Sequence, residues 1–133
     1  MSTDREIVWL TSDLVQAFHA QQLKLFGGPP GIRDEGALES ALGRPVNRVA
    51  YAEEAEVDLA ELAAAYAFGI AKNHPYIDGN KRAALLALVT FLGLNDLDFL
   101  ADEAEAVVMI RSLAAGEIDE SGLTRWIRDN WPA

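Results

Sequence analysis

His74, Asp78, Asn80, Lys81 and Arg82 all fall within the run His74-Pro75-Tyr76-Ile77-Asp78-Gly79-Asn80-Lys81-Arg82. An imidazole titrates near neutrality and can take a proton from an alcohol as that alcohol attacks. A carboxylate beside it can ligate a Mg²⁺ ion that bridges phosphate oxygens. Gly79 and Asn80 tolerate unusual backbone angles. A helix opening at Lys81 and Arg82 then brings unpaired amides, the positive end of the helix dipole and two fixed cations to one place. Such a turn is a nest for a phosphate chain. Each residue also has a plainer role open to it. His74 could bond a helix-end carbonyl, Asp78 could form an Asx turn with Asn80 or pair with Arg82, Asn80 could fix the loop or touch a phosphate, and the two cations could be a solvated face. Gathered in so short a run at a helix start, they favour the chemistry.

Two apolar segments must hold this run. Leu59 to Ala71 reads LAELAAAYAFGIA and Ala83 to Leu94 reads AALLALVTFLGL, too apolar all round for surface helices. They are expected to be the central helices of an all-α bundle of about six, with the polar run as the turn of a buried hairpin. Asp58 is placed to cap the first, with Glu61 completing a capping box. Pro75 disfavours helical geometry at His74 and leaves the imidazole at a helix end.

Around this hairpin, Ile7-Val8-Trp9-Leu10 reads as an edge strand or a packed extended segment, with Thr11 or Ser12 as an N-cap. A helix from Asp13 to about Lys24 places Leu14, Ala17, Phe18, Gln21 and Leu25 at helical spacing. Gly27-Gly28-Pro29-Pro30-Gly31 is a loop. Asp34 caps a short helix from Glu35 to about Leu42, stopped by Gly43 and Pro45. Val46 to Val57 is weakly patterned and reads as a loop or small flap. Asp102 caps a helix ending before Gly116, and a last helix runs from about Glu120 to Asn130. His19, in the first helix, has no metal-ligand partner in sequence and reads as a solvated or locally bonded histidine.

With 133 residues, half of them apolar, the chain suits one domain with one core. It has no cysteine, which excludes disulfides and thiolate metal sites. The N-terminus lacks the order of a signal peptide, and the apolar runs fall short of a membrane span, so the expectation is a soluble protein. A net charge of −10 argues against electrostatic nucleic-acid binding. Lys72, Lys81 and Arg82 near His74 stand out from that background and suit a small anion.

The nine-residue run resembles the signature of the Fic/Doc superfamily. The pattern is His-x-Phe-x-Asp/Glu-Gly-Asn-Gly-Arg in adenylyl-transferring Fic proteins and His-x-Phe-x-Asp/Asn-x-Asn-Lys-Arg in the Doc (death on curing) branch. Lys81 favours Doc, as does Leu85 where Fic proteins carry a further arginine. Gly31-Ile32-Arg33-Asp34-Glu35-Gly36-Ala37-Leu38-Glu39-Ser40-Ala41-Leu42, followed by Arg44-Pro45, is similar to a stretch common in Doc-like chains. Two departures are Tyr76 in place of phenylalanine, whose added hydroxyl needs a partner, and the Fic-type Gly79.

The resemblance implies a cytoplasmic toxin of a type II toxin-antitoxin pair, a kinase moving the γ-phosphate of ATP onto a threonine of elongation factor Tu and so arresting translation. By position, His74 is the base, Asp78 the Mg²⁺ ligand, and Gly79, Asn80, Lys81 and Arg82 the phosphate cradle. A Fic-type AMP transferase and a helical binding module without catalysis are the alternatives. The family also implies a Phd-type antitoxin whose disordered C-terminal segment folds on binding. The chain shows no Ser/Thr-x-x-x-Glu-Gly/Asn inhibitory motif.

Overall fold

The computed structural model describes residues 6–52 and 57–132. Among these are six helices and no strand: α1 (Ser12–Phe26), α2 (Glu35–Ala50), α3 (Leu59–Asn73), α4 (Asn80–Leu94), α5 (Glu103–Ala114) and α6 (Glu120–Asp129). The all-α expectation holds. Five helices open on a side-chain oxygen that accepts from the first turn: Thr11, Asp34, Asp58, Asp102 and Asp119. The sixth, α4, opens on Gly79 with no side-chain cap.

Helix α3 is the axis. Its residues Leu62 to Ala67 are all buried, as are Ile70 and Ala71, and α2, α4, α5 and α6 pack around it. Alanines let these neighbours come close. A Cβ on Gly69 would lie 3.0 Å from Ala41 Cα, so α2 and α3 touch backbone to backbone there. Helix α4 buries Ala83, Ala84, Ala87, Leu88, Phe91 and Leu92 but leaves Val89 and Leu94 exposed. It is therefore a core helix with one open edge.

Three expectations need correction. Helix α2 does not stop at Gly43 and Pro45 but runs through Pro45 to Ala50, so residues 46–50 are helix; residues 53–56 of the expected flap lie outside the described residues. A proline inside a helix removes one hydrogen bond and costs about 3 kcal/mol. Here Pro45 is buried, and both flanking arginines bind one carboxylate of α6, Arg44 through Nε at 3.1 Å and Arg48 through Nη2 at 2.6 Å from Glu120. Those tertiary contacts offset the lost bond. Second, the buried face of α1 is Val15, His19 and Leu23, whereas Ala17, Gln21 and Leu25 are exposed. Treating His19 as a polar residue shifted the apolar stripe sideways. Third, Glu61 lends its amide to Asp58 at 2.9 Å, but its carboxylate reaches Arg128 at 3.1 Å, so it ties α3 to α6.

Residues 7–10 form the packed extended segment. The side chain of Asn95 clasps Val8, accepting from its N–H and donating to its carbonyl, each at 2.9 Å. The Tyr66 hydroxyl accepts from Leu10 N–H at 3.0 Å.

Candidate active site

The motif loop joins α3 to α4 and is held from three sides. Asn80, buried in the first turn of α4, accepts from Tyr76 N–H and donates to Tyr76 O, both at 2.9 Å. Its amide is thus used to shape the loop, the first of the two roles open to it from sequence. The second support is the Gly-Pro loop. Ile32 pairs with Tyr76 in an isolated antiparallel bridge, Ile77 N–H donates to Gly31 O at 3.1 Å, and Pro75 O accepts from Arg33 N–H at 2.7 Å. The third is α1, whose His19 Nε2 lies 2.7 Å from Asp78 O.

His74 ends α3 in the left-handed region, φ 49° and ψ 57°. For a residue with a Cβ that costs on the order of 1–2 kcal/mol. The conformation is paid for by Arg33, whose guanidinium donates to His74 O and Asn73 O at 2.7 Å each, satisfying two carbonyls at the helix end. The chain can then turn sharply into Pro75, and the imidazole is left exposed at the rim. Its Nδ1 is 3.5 Å from Asn80 Nδ2, too long to commit the ring.

Behind the rim lies a cavity of about 530 Å³, within the range of small-molecule sites. His74, Asp78, Gly79, Asn80, Lys81 and Arg82 all line it, so the motif residues singled out from sequence meet at one place. Leu85 of α4 with Val107 and Ile110 of α5 supply an apolar wall, and Arg111 of α5 a further cation. Lys72, grouped with these cations by sequence, is not among the lining residues; its Nζ lies near Gly116 instead.

The charges inside are uncommitted. Among the described residues, no carboxylate lies within 4 Å of Lys81, Arg82 or Arg111, whereas Arg44, Arg48 and Arg128 are all ion-paired. Arg82 has its guanidinium carbon 5.3 Å from the centre of the Phe26 ring, and its Nη1 is buried with no hydrogen-bond partner. A buried donor left unpaired is costly unless a ligand supplies the acceptor. The Asp78 carboxylate has neither of the partners open to it from sequence, no bond to Asn80 and no pair with Arg82. It lies against Gly28, where any Cβ would collide with Oδ2.

These residues fit an anion and a hard cation together. No cluster of three or more acidic, histidine or cysteine ligands exists among the described residues, so there is no all-protein metal cage. One free carboxylate beside a phosphate nest is the arrangement by which Mg²⁺ is commonly held, completed by phosphate oxygens and water. The uncapped α4 start, Lys81 and Arg82 suit the phosphates themselves.

Tyr76 departs from this economy. Its ring is buried and stacks on His19, centroids 3.6 Å apart and 11° from parallel, yet its hydroxyl has no partner. Burial pushes its pKa up to about 12. The residues whose place at the site the sequence does not show are His19, Gly28, Arg33 and Arg111. Each is remote from the motif along the chain, and the sequence marks His19 only as a solvated or locally bonded histidine, Gly28 as part of a loop and Arg33 as part of a Doc-like stretch.

The profile of the Fic/DOC family matches residues 9–92. The protein kinase doc of Escherichia phage P1 is 36% identical over 112 residues, covering 84% of this chain and 86% of the phage protein. The toxin Doc of Mycolicibacterium smegmatis is 43% identical over 77 residues, 58% of either chain. The matched region runs from the segment packed before α1 to the last turn of α4 and so takes in the motif loop and the loop that braces it: the chain belongs to the Fic/Doc family.

Proposed function

We propose that the chain is the toxin of a type II toxin-antitoxin pair and acts as a Mg²⁺-dependent kinase, moving the γ-phosphate of ATP onto a threonine or serine hydroxyl of a cytoplasmic translation factor, with elongation factor Tu as the first candidate. The observation that carries this reading is the α4 start. Among the described residues it is the one helix in six without a side-chain cap, and it faces a cavity with unpaired Lys81 and Arg82, a free carboxylate and an exposed imidazole. The names of two relatives, a protein kinase and a toxin, point the same way.

In this reading His74 accepts the proton of the target hydroxyl while that oxygen bonds to the γ-phosphorus and the bond to the β-phosphate oxygen breaks, releasing ADP. The amides of the α4 start, with Lys81 and Arg82, hold the phosphates in line and take up the charge on the transferring group. Asp78 would hold Mg²⁺, which when bound would screen the phosphate charges. Leu85, Val107 and Ile110 give the nucleoside an apolar wall. Leu85 also speaks against AMP transfer, because an apolar side chain stands where Fic proteins carry a further arginine. A small antitoxin of the Phd type is the expected partner in control.

Purified protein incubated with ATP, Mg²⁺ and elongation factor Tu tests this directly. Mass spectrometry of the target should show an addition of about 80 Da for a phosphoryl group, whereas about 329 Da would mean AMP transfer. No added mass on any lysate protein would leave a binding module.

A further inference from the structure

The sequence reads His19 as a solvated or locally bonded histidine, but it is buried, 4% exposed, and reaches the motif loop from α1. Its Nε2 is 2.7 Å from the carbonyl oxygen of Asp78. A carbonyl can only accept, so Nε2 carries the proton. That carbonyl and the N–H of Gly79 belong to one planar trans peptide and point in opposite directions. Holding the oxygen toward α1 therefore turns the Gly79 N–H away from α1, and Gly79 lines the cavity on the other side of the loop. A side chain at Gly79 would be strained, with φ 81° and a Cβ position 3.3 Å from His19 Nε2. The Asn80 clasp and the Gly31 contact fix Tyr76 and Ile77. His19 is the contact on the peptide of Asp78 itself.

We propose that His19 is a positioning residue: its Nε2–H sets the Asp78–Gly79 peptide so that the Gly79 amide faces the phosphates and the Asp78 carboxylate faces the cation. The inference rests on the functional reading above and adds to it a residue outside the motif. Fixing groups one step behind a metal ligand typically changes affinity about 10- to 100-fold.

Two variants separate this role from packing, because they predict opposite orders. His19→Phe keeps a ring to stack on Tyr76 and loses the donor. His19→Gln loses the ring and keeps a side-chain N–H. Calorimetric titration with ATP plus Mg²⁺ should show about 10- to 100-fold weaker binding for His19→Phe with its melting temperature near wild type. His19→Gln should recover most of the affinity despite a lower melting temperature. The reverse order, or equal affinity of His19→Phe and wild type, overturns the proposal. If neither variant folds, ¹⁵N NMR of the wild-type chain decides: Nε2 should be protonated and the Gly79 amide should shift on adding Mg²⁺ and ATP, while an unprotonated Nε2 overturns it. Wild-type protein that binds no ATP with Mg²⁺ overturns the functional reading, and this inference with it.

Discussion

His74 combines an unfavourable backbone with an exposed ring, and the proposed base role would give that combination a use. A helix could end more cheaply on glycine at this position. Replacing His74 by Ala should leave the fold intact by circular dichroism and lower phosphoryl transfer by about 10²- to 10⁴-fold, the usual contribution of a positioned base. Full toxicity of that variant in cells would remove the base assignment. Arg111 should matter to affinity instead. Its replacement by Ala should weaken ATP binding measured by titration without lowering the melting temperature, since no carboxylate among the described residues depends on it. Tyr76 is the opposite case, a side chain with an atom it cannot use. Because its buried hydroxyl is unpaired, Tyr76→Phe should raise stability by about 1 kcal/mol in a denaturant titration. A loss of stability would reveal a partner for that oxygen.

At the scale of elements, the site depends on how α1 and the loop after it brace the α3–α4 hairpin. Arg33 links them twice, by its backbone N–H to Pro75 O and by its guanidinium to the end of α3. Arg33→Ala leaves the backbone bond and removes the other two. Because Arg33 is exposed, the stability cost should be modest, about 1 kcal/mol. The effect on transfer should be larger than that cost implies, because His74 then has less to hold it in the left-handed region. Comparing kcat with the melting temperature for this variant checks the point, and parallel changes in both would reduce Arg33 to an ordinary cap. The same dependence explains α2. The proline in its middle is tolerated because both sides of it are anchored, by Ala41 against Gly69 and by Arg44 and Arg48 on Glu120.

For the molecule as a whole, two buried tyrosines set a limit at high pH. Burial raises the pKa of Tyr66 to about 12, against a smaller lowering by its bond from Leu10, and burial raises Tyr76 to about 12 as well. The ordinary tyrosine value, taken for the unfolded chain, is 10.0. Between those values the unfolded chain loses protons that the folded chain keeps, so stability is unaffected below pH 10 and falls as pH rises toward 12. The slope should be on the order of 1.4 kcal/mol per pH unit for each tyrosine. Denaturant melts across that window should show the fall, and Tyr76→Phe should reduce it by about half. A flat profile would mean that the hydroxyls are hydrated in the folded protein. Among the described residues, no helix is long and apolar enough to cross a membrane.

What the sequence determined by itself is local in origin. The cap at Asp58, the break imposed by Pro75 and the apolar density of α3 all act within a turn or two, and each can be read from neighbouring residues. The clustering of His74, Asp78, Lys81 and Arg82 follows because one short loop carries them. The tertiary structure alone decided that α2 continues through Pro45, that His19 faces inward, and that Gly28, Arg33 and Arg111 reach the motif. In each case the deciding partner lies far along the chain, on another helix or in a distant loop. A helix pattern records which face is apolar, but the identity of what meets that face is fixed only when the chain closes on itself.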